Sequence, residues 1–258
     1  TRRSSDLMKK FSYKNKKLIF LSSVILFILW QLASMIIGSE VILPSPYLTF
    51  KGLIEVIKSN DFFKIIISTL GRTFISFILA LVIALFLGVF SAFNKYVYNF
   101  MIPILNVMRS LPTIGFIILA LIWLSQGIAP ILVGFVMSFP IFYDAIIGAI
   151  LNIDKNILEM AKVYEIGMGN LIKNIYLPSI SFAICRIMVS TFSLTMKLVV
   201  GGEVIGQPKY GIGTALFVEK NYLNTNMVFA WIIVVIIIGI IFSLIQKTID
   251  GRVFRWMK

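Results

Sequence analysis

Four ionisable residues, Asp144, Arg186, Lys197 and Glu203, fall in or beside stretches that are otherwise apolar. A charge at the centre of a bilayer costs about 2.5–3.5 kcal/mol on insertion scales, so each needs a partner, a watery path or a reach to the surface. The chemistry open to them is electrostatic: pairing, attracting a charged solute, or bracing a loop. Asp144 and Arg186 sit at similar depth in antiparallel neighbouring segments, which predicts an ion pair between them. The other reading of Arg186 is a pathway wall that attracts an anion. Lys197 lies close enough to the end of its segment to snorkel. Glu203 follows directly and can brace the next loop against Arg72 or Lys209, or help to form a gate. All four are candidate pathway or gate residues.

Catalysis has little to work with. The chain contains no histidine, which removes imidazole acid–base chemistry, most zinc sites and histidine haem ligation. Its one cysteine, Cys185, lies in an apolar stretch, so no disulfide can form within the chain. No G-x-x-x-x-G-K-[ST] loop is present to cradle phosphates. An ion-driven transporter would show paired acids near the midplane of broken spans, and here one acid lies within a span.

The most polar internal stretch, EMAKVYEIGMGNLIKNIYLP (159–178), lies between two apolar segments. Asn156, with Glu159 three residues on, has the form of a helix start. Ile157, Ala161 and Tyr164, with Leu158 beside them, give one apolar face, and Glu159 and Lys162 lie opposite. Gly167 and Gly169 break the run. A second short helix then carries Leu171, Ile172 and Ile175, and Pro178 opens the following span. Such a hairpin can fill a groove on a soluble partner or lie on the headgroups.

These residues must be positioned by membrane helices. Of 258 residues, 59% are hydrophobic and 14% charged, and the mean hydropathy is +0.96. That composition belongs to an integral membrane protein. Six apolar segments are expected, at roughly 18–38, 74–93, 110–124, 128–147, 179–200 and 227–245, the third short and carrying Leu111-Pro-Thr. Chain start Thr1 is followed by Met8, which reads as a natural start, and the first span lacks a convincing cleavage site, so it is read as retained. With the N-terminus inside, sixteen Lys and Arg fall on inner segments and six on outer ones, which predicts cytoplasmic termini. The net charge of +13 flanks the spans instead of forming a stripe, so nucleic acid is not indicated. Tyr47, Phe50, Leu53, Ile54 and Ile57 predict a surface helix after the break at LPSP. The glycine-dense segment GGEVIGQPKYGIGTALF reads as a connecting loop, or as a gate or docking loop. Gly71, Gly88, Gly134 and Gly148 suit close helix contacts.

In the polar stretch the residues read E-x-A-x3-E-x9-I-x-L-P: Glu159, Ala161, Glu165, Ile175, Leu177 and Pro178. The pattern resembles the EAA loop of bacterial ABC-importer permeases, E-A-A-x3-G-x9-I-x-L-P, with Met160 and Glu165 at the two departures. Gly167 could supply the turn that Glu165 replaces. STLGRTFISFILALVIALFLG, IPILNVMRSLPTIGFIILALIWL, FPIFYDAIIGAI and GEVIGQPKYGIG also look like the nitrate, sulfonate and taurine branch of these permeases. The resemblance implies an all-α membrane protein with six transmembrane helices and the type I importer permease fold. Its divisions would be 1–66 (tail, first span and surface helix), 67–250 (transmembrane domain, coupling loop 151–178) and 251–258 (tail). It implies a non-catalytic import channel in the bacterial cytoplasmic membrane. Glu159, Met160, Ala161, Lys162, Tyr164, Glu165, Gly167, Leu177 and Pro178 would dock on a cytoplasmic ABC ATPase dimer. The implied partners are a second permease subunit, often identical, and an extracellular or periplasmic solute-binding protein. ATP and magnesium would belong to the ATPase, with no cofactor on this chain. Sulfonates, taurine, nitrate and heterocycles are compatible solutes.

Overall fold

The computed structural model describes residues 16–253; Met8, most of the basic stretch before Leu18, and the last five residues lie outside that range. Eleven helices follow one another among the described residues: α1 Lys16–Ile37, α2 Pro46–Lys58, α3 Phe62–Phe93, α4 Lys95–Ser110, α5 Thr113–Trp123, α6 Ala129–Leu151, α7 Lys155–Val163, α8 Met168–Leu171, α9 Leu177–Gly206, α10 Ile212–Asn221 and α11 Thr225–Val253. A π-turn, Ile172–Tyr176, joins α8 to α9.

Five stretches are long and apolar enough to cross a membrane: α1, α3, α6, the continuous run from α8 through α9, and α11. The expected third span is not straight. Pro112 disfavours the helical region for Leu111, which sits at φ −63°, ψ 124°, so α4 stops there and α5 restarts at 103° to it. The second span also begins twelve residues earlier than expected, at Phe62, because Lys64 and Arg72 are accommodated within the helix.

α6 lies at the centre, packed most extensively against α3 and α9. Phe139, Phe142, Tyr143 and Ile146 are fully enclosed there. Gly134 permits the closest approach: a methyl group at that position would stand 2.8 Å from Ser76 Oγ and 3.0 Å from Val199. At Gly88 the nearest atom would be Ile146, at 3.0 Å. Gly71 and Gly148 face no neighbouring helix, so two of the four glycines serve the expected role. Phe74, Phe77, Phe142, Phe192 and Phe242 interlock across α3, α6, α9 and α11, with Phe192 and Phe242 stacked at 3.8 Å.

The helix expected over 47–57 is present as α2, capped by Ser45, whose hydroxyl accepts from Leu48 N at 3.3 Å. Its packed face is Thr49, Gly52, Leu53 and Val56, whereas Tyr47, Phe50, Ile54 and Ile57 are exposed. α1 stands at the periphery. It is tied on by Trp30, which stacks on Phe229 and donates to Pro44 O at 3.1 Å.

Candidate functional site

Two constructions stand at opposite ends of the α3–α6–α9 layer. At one end, residues 152–176 project as a hairpin. α7 starts two residues earlier than its sequence suggested: Asp154, not Asn156, is the N-cap, and its carboxylate accepts from Asn156 N at 2.9 Å. α7 closes in a Schellman arrangement. Ile166 N donates to Ala161 O at 2.9 Å and Glu165 N to Lys162 O at 3.0 Å. The geometry requires a left-handed residue, and Glu165 supplies it at φ 49°. Gly167, expected to carry the turn, instead has φ −58° and starts α8.

The second helix of the hairpin is not separate. α8 passes through the π-turn straight into α9, giving one rod from Met168 to Gly206. Pro178 cannot donate to Asn174 O, and the wider turn just before it, in which Leu177 N reaches Ile172 O, absorbs that missing bond.

The expected face of α7 is split. Ala161 turns inward and is buried, and Leu158 is half-buried beside it, while Met160, Val163, Tyr164 and Met168 protrude into solvent. Glu159 and Lys162 are exposed. Leu158, Ala161, Glu165, Ile166, Leu171 and Tyr176 line a shallow cavity inside the hairpin. Tyr176 then packs edge-on against Phe93 at the end of α3, 5.5 Å between ring centroids.

At the other end Glu203 is fully buried. Arg72 Nη1 donates to its Oε1 at 2.7 Å, and Thr69 Oγ1 and Gly213 N donate to its Oε2 at 2.9 and 3.0 Å. Arg72 also donates to Tyr210 O at 2.8 Å and to Gly127 O at 3.1 Å. Thr69 Oγ1 in turn accepts from Ile212 N at 2.9 Å. The first two amides of α10, a helix without a cap of its own, are thus capped by side chains from α3 and α9. Of the two partners expected for Glu203, Arg72 is the one it meets. Gly213 is required by this closeness, because a methyl there would overlap Val200 O and Glu203 Cβ. The glycine-dense segment is therefore a clasp.

Asp144 does not pair with Arg186. Its carboxylate lies 2.5 and 2.6 Å from Arg109 Nη2, near the end of α4. The bend at Leu111-Pro112 ends α4 just past Arg109, which brings that side chain alongside α6, and no reading of apolar spans alone places that bend. Arg186 instead stands exposed on α9, its guanidinium 5.7 Å from the Phe182 ring. Lys197 is exposed on the same helix. No group of three or more metal-ligating side chains forms among the described residues.

Residues 80–255 match the family model described as the binding-protein-dependent transport system inner membrane component. SsuC of Bacillus subtilis, a permease protein named for aliphatic sulfonates transport, is 25% identical over 244 residues, covering 92% of this chain and 86% of its own. NrtB of Synechocystis, a nitrate import permease protein, is 24% identical, covering 87% and 83%. An ABC transporter permease protein of Methanocaldococcus jannaschii is 21% identical, covering 90% and 88%.

Proposed function

This chain belongs to the family of binding-protein-dependent transport system inner membrane components, and from that premise we propose that its projecting hairpin is the joint to a cytoplasmic ATPase that drives import of a small anionic solute. The chain is a multi-pass membrane permease and contributes a path, not a reaction. ATP and magnesium bind the ATPase. Two copies of the chain enclose the pathway, and a solute-binding protein delivers cargo to the clasp end. The hairpin end and both termini face the cytoplasm, a reading supported by the excess of Lys and Arg on that side.

The observation that carries the proposal is the protruding set Met160 and Val163 on α7, Tyr164 at its C-cap and Met168 at the start of α8, with α7 capped by Asp154 at one end and closed by the Schellman bonds at the other. Exposed apolar side chains on a charged, well-capped helix have the form of a helix that fills a groove. The run from α8 into α9 is unbroken, so a push on α7 reaches the spans without a flexible hinge on that side. Transport then follows as a change between two packings of the spans. The anionic solute is supported by the names of two relatives, which concern sulfonates and nitrate.

The test is purification of the full complex from native membranes, with its ATPase activity measured. An ATPase should co-purify with the parent chain and be lost with Tyr164→Ala combined with Val163→Asp. Both positions are exposed, so the spans should still fold and insert. An ATPase that remains bound to this variant would remove the joint from α7.

A further inference from the structure

Resting on the importer reading, we propose that the open face of α9 is an anion-selective wall of the solute pathway, with Arg186 and Lys197 as its charges and Ser190 between them. Arg186 and Lys197 are eleven residues apart, which at 100° per residue leaves them about 20° from perfect alignment and about 16 Å apart along the helix. Phe182, Arg186, Ser190, Leu194, Lys197 and Ile205 form one exposed stripe. The opposite face, with Ile184, Thr191, Thr195 and Val199, is buried against the bundle.

A stripe with two cations and a hydroxyl is a poor surface for lipid tails. Its charge is also uncompensated. The two carboxylates carried by α6 and α9 are already engaged, Asp144 by Arg109 and Glu203 by Arg72, Thr69 and Gly213 N. Among the described residues neither Arg186 nor Lys197 meets a carboxylate. Both acids on these two helices are neutralised by a nearby arginine, and two cations are left open on one face. The stripe therefore carries a positive field that concentrates anions.

Arg186 narrows the class further. Its planar guanidinium, held over the Phe182 ring, offers parallel donors that match the oxygens of a sulfonate or nitrate, whereas Lys197 acts as a point charge. The ligand class is a small oxyanion, passed from one cation to the other across about three helical turns.

The test needs no knowledge of the natural solute. In the full complex in open membrane vesicles, Cys185→Ser removes the one native thiol and Ser190→Cys places a new one between the charges. Its modification is followed with an anionic sulfonatoethyl methanethiosulfonate and a cationic trimethylammonioethyl one. Each rate is normalised to that reagent's rate with a free thiol in solution, with and without ATP and magnesium. In at least one nucleotide condition the thiol should react, with at least a tenfold normalised preference for the anionic reagent. Arg186→Gln with Lys197→Gln should bring that preference close to one. A thiol inert to both reagents in every condition would mean that the face lies on lipid or on a second copy, and would overturn the proposal. So would a preference that survives loss of both cations. Failure of the importer reading appears elsewhere, as absence of a co-purifying ATPase from the parent complex.

Discussion

Glu165 holds a conformation that its side chain does not favour. A non-glycine residue in the left-handed region costs about 1 kcal/mol relative to glycine, and here the Schellman bonds at the end of α7 depend on it. Glu165→Gly should therefore stabilise the hairpin by about 1 kcal/mol, slowing amide exchange at Ile166 about fivefold. Glu165→Val, β-branched and more strained at the same φ, should speed that exchange. Equal exchange in all three proteins would mean that the turn is set by packing and not by backbone preference. The sequence pattern located this turn, since position 165 is where the related motif has glycine. What it could not supply was the outcome of a competition: the 6→1 and 5→2 bonds fix the turn at 165 even without glycine, although Gly167 stands two residues away. Asp144 shows the opposite case. Its pairing with Arg109 depends on a 103° bend between helices, and one-dimensional hydropathy carries no direction.

At the scale of elements, the clasp joins α3, α9, α10 and the loop before α6 through a single buried carboxylate. Removing Arg72 leaves Glu203 enclosed without its counter-charge, at a cost of about 3–5 kcal/mol. Removing both charges avoids most of that penalty. Thermal unfolding of the purified complex should thus rank parent, then Arg72→Met with Glu203→Gln, then Arg72→Met alone as the least stable. A double variant no better than the single would show that Arg72 acts through Tyr210 O and Gly127 O, not through the carboxylate. Glu203 and Arg72 could be picked out from sequence as a possible pair because few charges lie near spans. Thr69 could not, because an isolated threonine at the start of an apolar helix has many ordinary uses. α2 was legible as a helix, yet its packed face was not. The helix has apolar residues on more than one side, and contact with α11 selects Leu53 and Val56 over Tyr47 and Phe50.

Across the whole molecule, α3 and α9 are joined at both ends, by Phe93 against Tyr176 near the hairpin and by Arg72 with Glu203 at the clasp. α6 fills the space between them with a dense aromatic and aliphatic core. Packed interiors of this kind move as units and resist sliding. A displacement of the hairpin should then carry α3, α6 and α9 together, and the change should be taken up where packing is thin, at α1. A bridge across a joint that does not open should be harmless. In the Cys185→Ser background, Phe93→Cys with Tyr176→Cys linked by a short bismaleimide should leave ATP hydrolysis by the complex within twofold of the unlinked variant. Hydrolysis falls well below that if α3 and α9 separate during the cycle, because a coupled motor cannot turn over against a locked channel. The comparison of linked with unlinked protein isolates the tether from the loss of the ring contact, so its result bears on the motion alone.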